Sequence, residues 1–201
     1  MSYNGKKNYL TGNELSDEWY TPKFIVDKCI EIAKEKIENK VVLLPFDTEK
    51  SLFVKELENF NTTLCYGFRD FLENDKYVYD ILITNPPFSL KEKVFEQCLK
   101  YGQDFMLVLP ETFIFSVGFY DLLEKYNFHY KLFSPKQRVY FIDQNGKQNR
   151  PNFHTIIIYV SKDFAENTIE HFYSETKIKY LASGFANDYK KVLKEIYDGD
   201  M

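Results

Sequence analysis

Four residues closing an apolar run, Asn85-Pro86-Pro87-Phe88 in the stretch DILITNPPFSL, are of types and spacing that could do chemistry. Proline fixes its own φ, has no N–H and pushes the residue before it into extended geometry, so Asn85 and Pro86 are each restrained by their successor. The result is a stiff loop. It can aim the Asn85 side-chain carbonyl and the Pro86 backbone carbonyl at a single donor, with the Phe88 ring close by. Converging acceptors beside an aromatic plate suit an amine on a flat ring. Such an amine is a poor nucleophile while its lone pair is delocalised. Two acceptors on its hydrogens favour a pyramidal nitrogen, and face-on stacking holds the ring. This is positioning, so neither a general base nor a metal is required. Asn-Pro-Pro also fits a proline-terminated strand without chemistry.

The surrounding pattern supplies elements that would hold such a loop. Thr21 is placed as an N-cap and Pro22 as the first residue of a helix whose Phe24, Ile25, Cys29, Ile32 and Ile37 recur near helical spacing. Strands follow at residues 41–45, 63–67, 79–84 and 104–110, separated by a helix carrying Leu52, Phe53 and Leu57 and another over residues 89–102. That alternation predicts an α/β, Rossmann-like, mostly parallel sheet flanked by helices. After a helix over residues 117–126 the rhythm changes. Three strands (129–134, 138–143 and 154–161) follow without intervening helices, and Asn145-Gly146 marks a turn between the last two, so the sheet is expected to end in an antiparallel hairpin. In an open parallel sheet, ligands bind beyond the carboxyl ends of the strands, where Asn85 would stand.

With 201 residues, one domain is expected over 17–201 behind a mobile arm at 1–16. No apolar run reaches membrane-spanning length and no signal segment is visible, which makes the cytoplasm the default location and excludes a membrane partner. The cysteines Cys29, Cys65 and Cys98 and the histidines His129, His154 and His171 are scattered, so no metal site is assigned. A net charge of −4 argues against bulk electrostatic wrapping of nucleic acid. The best local cationic patch is Lys136, Arg138, Lys147 and Arg150. A final amphipathic helix around Tyr189, Val192, Leu193, Ile196 and Tyr197 is a candidate for core packing or a homodimer contact.

Taken together, these motifs resemble the N6-adenine DNA methyltransferases, in particular their EcoRI-type and phage Dam-like members, which use S-adenosylmethionine on a class I methyltransferase fold. The resemblance spans about residues 17–162, with the pieces in the expected order. It implies that Asn85, Pro86, Pro87 and Phe88 form the catalytic motif acting on the exocyclic amine of a flipped adenine. DEWYTPKFIVDKCIEIA resembles the N-terminal cofactor motif, implying that Trp19, Tyr20, Thr21 and Pro22 line the cofactor pocket. LLPFDTEKSLFVKEL resembles the EcoRI-type cofactor loop, implying cofactor roles for Pro45, Phe46, Asp47, Ser51 and Phe53, with Asp47 meeting the ammonium. RDFLEN places Asp70 and Phe71 near the cofactor's adenine. RPNFHTIIIYV implies that Phe153 meets the other face of the flipped base. DNA is the implied partner, contacted by Lys136, Arg138, Lys147 and Arg150.

Two departures stand out. The loop 45–51 contains no glycine, and the acidic residue that binds ribose after the second strand is missing unless Asp70 serves. Two other readings therefore stay open: a catalytically silent, methyltransferase-like protein that binds nucleic acid or acts against a defence system, and a methyltransferase acting on RNA or on protein glutamine. Nothing outside the expected core is large enough to be a separate target-recognition domain.

Overall fold

Leucine, isoleucine and valine fill the central strand segments without the polar alternation of a half-solvated sheet, because both faces of the middle of this sheet are covered. The computed structural model describes residues 20–68, 71–73, 77–142, 148–149 and 151–174. In chain order these form α1 (Lys23–Ile37), β1 (Val41–Leu44), α2 (Leu52–Leu57), β2 (Thr63–Tyr66), β3 (Ile81–Thr84), α3 (Lys91–Tyr101) and β4 (Asp104–Pro110). A 3-10 turn (Glu111–Phe115) then leads to α4 (Val117–Tyr126), β5 (His129–Pro135), β6 (Phe141–Ile142), β7 (Gln148–Asn149), β8 (Thr155–Ser161) and β9 (Thr168–Phe172).

Seven strands make one sheet in the order β2-β1-β3-β4-β8-β5-β9. The first four run parallel, β8 is antiparallel to both β4 and β5, and β9 runs parallel to β5. This is the class I methyltransferase, Rossmann-like fold. Side chains alternate between two cores. Val42, Leu44, Ile81, Ile83, Met106, Val108 and Ile157 pack with residues of α1 and α2. Leu43, Leu82, Phe105, Leu107, Leu109, Ile156 and Ile158 pack with residues of α3 and α4 on the other face.

Several boundaries differ from the sequence expectation. Pro22, not Thr21, takes the α1 cap position. Its ψ of 149° is extended, it lies outside the helix, and its carbonyl accepts from Ile25 and Val26 at 3.0 and 3.3 Å with no side-chain cap. Among the described residues, the segment 138–142 does not pair with 154–161. Phe141–Ile142 instead pairs with Gln148–Asn149 as a separate ribbon, while β8, buried along its whole length, inserts between β4 and β5. The Asn145-Gly146 turn, the N-terminal arm and the final amphipathic helix lie outside the described residues. β9 was not expected from the sequence.

The topology gathers the carboxyl ends of β1 to β5 and the start of β8 on one edge, with Pro110 opposite Thr155 across the β4–β8 pair.

Candidate active site at the carboxyl edge

β3 ends at Thr84, which is fully buried, and the chain turns through Asn85-Pro86-Pro87-Phe88 before α3 begins. The turn is fastened from behind: Leu90 N–H donates to the Pro87 carbonyl at 2.8 Å, and Lys91 Nζ donates to the Phe88 carbonyl at 3.3 Å. The Asn85 Oδ1 atom is sealed from solvent and has no hydrogen-bond partner among the described residues. An unmet buried acceptor costs about 1–3 kcal/mol, and the Tyr79 and Thr155 hydroxyls are likewise buried without a partner among the described residues.

Phe88 is half-buried, with its ring edge-on to Phe141 at 5.8 Å and to Phe153 at 5.1 Å between centroids. Phe88 and Phe153 thus meet each other directly, whereas the resemblance implies a base between them. They form a closed corner rather than two parallel plates, and a base entering between them must swing one ring aside.

Beyond β1, the glycine-free loop is held by its own polar atoms. Asp47 N–H donates to the Leu44 carbonyl at 3.1 Å, and Ser51 caps α2 by accepting from Phe53 N–H at 3.2 Å. Ser51 Oγ donates to Asp47 Oδ1 at 2.5 Å, and Thr84 Oγ1 donates to Asp47 Oδ2 at 3.0 Å. The Asp47 carboxylate therefore ties the β1 loop to the residue preceding Asn85. Desolvation pushes its pKa up to about 6, against the opposing pull of the Ser51 and Thr84 hydroxyls. Phe68 N–H donates to the Pro45 carbonyl at 2.9 Å, bringing in the end of β2 through Gly67, whose φ of +82° is readily adopted by glycine.

The remaining expected residues divide. Tyr20 and Pro22 are partly exposed and Thr21 is buried. Phe46 is partly exposed and packs edge-on against Phe71 at 5.5 Å. Phe53 and Phe71 are corrections: at 1% and 0% exposure they are core residues on opposite faces of the sheet and offer a ligand no surface. Phe71 backs Phe46, and Phe53 anchors α2. Lys136 is exposed beside the Tyr173 ring at 5.1 Å, and Arg138 is exposed on the wall of a cleft. Trp19, Asp70, Lys147 and Arg150 lie outside the described residues. Thr84, Glu111 and Ser134, which the sequence did not single out individually, also lie at this edge. Thr84 alone had a sequence signal, as a hydroxyl ending an otherwise apolar strand.

Asp47 is partly exposed as a residue, and its largely desolvated carboxylate, held by two hydroxyls with no cation against it among the described residues, is the group that could hold the α-ammonium of S-adenosylmethionine. No cluster of three or more histidine, cysteine, aspartate or glutamate residues suited to a metal occurs among the described residues. Among these residues no helix is long and apolar enough to cross a membrane.

No protein-family model and no curated protein matches the chain. Solved structures do resemble it. A Listeria monocytogenes protein assigned to the class I S-adenosylmethionine-dependent methyltransferases is 16% identical, with a TM-score of 0.55, over 94% of this chain and 74% of that one. The 23S rRNA methyltransferase ErmE is 12% identical, with a TM-score of 0.51, over 88% of this chain and 83% of that one. The modification subunit assigned to a type I restriction enzyme of Vibrio vulnificus is 14% identical, with a TM-score of 0.50 over 78% of this chain, which spans 47% of that subunit. The shared feature is the fold, that of class I S-adenosylmethionine-dependent methyltransferases.

Proposed function

We propose that the chain is an S-adenosylmethionine-dependent methyltransferase acting on the exocyclic N6 of adenine in DNA. One observation carries this reading: the buried Asn85 Oδ1 lacks a donor among the described residues, at the carboxyl edge of a methyltransferase-type sheet and beside the Phe88–Phe153 corner.

When bound, S-adenosylmethionine supplies an electrophilic methyl group on a sulfonium sulfur. Asp47 holds the cofactor's ammonium, and Ser51 and Thr84 fix the orientation of that carboxylate. Asn85 Oδ1 and the Pro86 carbonyl accept from the two N6 hydrogens, which restores lone-pair density to the nitrogen. Phe88 stacks on the purine once the corner opens, and Phe153 covers its other face. Asn85 and Pro86 would thus present the N6 lone pair to the methyl group that the bound cofactor would supply, and N6 would shed its extra proton to water. Extruding a base costs a few kcal/mol, a cost that stacking of about 1–3 kcal/mol per contact largely offsets.

The test is methyl transfer from labelled cofactor to adenine in duplex DNA, to RNA and to a glutamine peptide, in parallel with calorimetric titration of the cofactor. Label in DNA N6-methyladenine is the expected result. Label only in RNA or at glutamine removes the DNA assignment. Absence of cofactor binding at millimolar concentration favours the silent alternative that the glycine-free loop leaves open.

A further inference from the structure

Next to the aromatic corner, the carboxyl edge opens into a cleft of about 410 Å³ lined by Glu111, Ser134, Arg138, Asn152, Phe153 and His154. None of the steps above uses its polar groups. Its walls come from the ends of β4 and β5 and the segment entering β8. They are joined where Glu111 N–H donates to the His154 carbonyl at 2.8 Å and where Ser134 Oγ lies 3.3 Å from His154 Nε2. Phe153 is common to both spaces, since its ring touches Phe88 and also lines the cleft.

The charges in the cleft are arranged unusually. Glu111 and Arg138 share the space, yet neither forms an ion pair with any described residue. Opposite charges held apart in one cleft keep their hydrogen-bonding capacity for a ligand that presents both a donor and an anion. Glu111 is half-buried on an anchored backbone, whereas Arg138 is exposed. The fixed carboxylate therefore suits a base edge and the exposed guanidinium suits a phosphate.

We propose that this cleft receives the nucleotide adjoining the target adenine in the same DNA strand, with Glu111 accepting from the exocyclic amine of its base and Arg138 holding its phosphate. The inference rests on the DNA reading above and adds a specificity determinant to it. Presented to the major-groove edge, a carboxylate accepts from cytosine N4 or adenine N6 and is repelled by guanine N7 and O6 and by thymine O4, while the guanine N2 amine faces the minor groove. The chain therefore prefers cytosine or adenine beside its target. Glutamine in place of Glu111 can donate as well as accept, which removes the preference.

The experiment compares wild type, Glu111→Gln and Arg138→Gln on oligonucleotides carrying each of the four bases on either side of one adenine. Both methyl transfer and fluorescence-anisotropy binding are measured. Wild type is expected to favour adenine or cytosine on one side by about tenfold, and Glu111→Gln to lose that preference while still acting on all four. Arg138→Gln is expected to weaken binding of all four alike and to reduce its salt dependence by about one phosphate contact. A wild type indifferent to the neighbouring base, or a Glu111→Gln variant that keeps the preference, overturns the proposal. Should no oligonucleotide be methylated, the function reading fails while the anisotropy series still decides this one: a preference for amino bases that Glu111→Gln abolishes upholds it, and identical binding overturns it.

Discussion

Asp104, at the amino end of β4, and Asp47, beyond the carboxyl end of β1, are both partly buried carboxylates, yet among the described residues only Asp104 meets a cation. Asp104 accepts from Ser161 Oγ at 2.7 Å and Tyr159 OH at 3.0 Å, with Lys36 Nζ at 3.1 Å. Lys36 is shared with Asp163, and hydrogen bonds to Asp163 and then Asp104 push its pKa up. The Asp104 cluster is satisfied from within the chain and joins α1, β4 and β8, although the nearby Tyr79 hydroxyl is buried without a partner among the described residues. Asp47 has only two hydroxyls, its pKa is raised by desolvation, and the neighbouring Asn85 Oδ1 has no described partner. On the proposed reading, the Asp104 cluster serves stability, while Asp47 and Asn85 at the carboxyl edge keep polar capacity for a ligand.

Substitutions at the two ends should separate these roles. After Asn85→Ala, the largest effect is expected from Phe88→Ala, which removes the stacking plate. Transfer should fall by about a hundredfold while cofactor affinity, read by calorimetry, changes only a few-fold. Asp104→Ala is the mirror case. It leaves the Tyr159 and Ser161 hydroxyls unpaired and should cost about 2–3 kcal/mol in denaturant unfolding, with transfer by the folded fraction unchanged. If Asp104→Ala instead abolished transfer without loss of stability, the division between the two ends would fail.

The smallest effect, and the most diagnostic for the cofactor loop, is expected at Asp47. Its folded pKa of about 6 lies above the ordinary 3.8, so the folded chain holds this proton more tightly than the unfolded chain. The associated stability is fully present below the ordinary value and is lost as pH rises through about 6. Cofactor binding runs the other way. Only the ionised carboxylate attracts an ammonium, so affinity should decline as pH falls below about 6. Asp47→Asn should weaken binding by about tenfold near neutral pH, or about 1.4 kcal/mol, and flatten its dependence between roughly pH 5 and 7. An unchanged profile in Asp47→Asn would remove this carboxylate from the site.

Much of the architecture was legible because periodic segments carry their own burial pattern. Residues 104–110 and 117–126 are strand and helix to the residue. β9 was hidden because its three central residues are exposed, Ile169 at 61%, so it lacks the apolar signature of a buried strand. Residues 138–143 misled because aromatic and β-branched residues suggest a sheet strand, whereas the sheet position went to the more apolar β8. At the site, the prolines announced the elbow locally. The Thr84–Asp47 bond joins residues 37 apart in sequence, and the cleft joins residues from β4, β5 and the entry to β8. Such contacts follow from strand order and register, which no local pattern encodes.

The most direct test uses Asn85→Ala, because the whole account turns on that side-chain oxygen. Methyl transfer to adenine N6 in duplex DNA is quantified by mass spectrometry of released nucleosides, alongside calorimetric cofactor affinity on the same preparation. The account predicts transfer reduced at least about a thousandfold, affinity within a few-fold of wild type, and stability unchanged or slightly raised as an unmet acceptor is removed. Transfer at the wild-type rate by Asn85→Ala would contradict it.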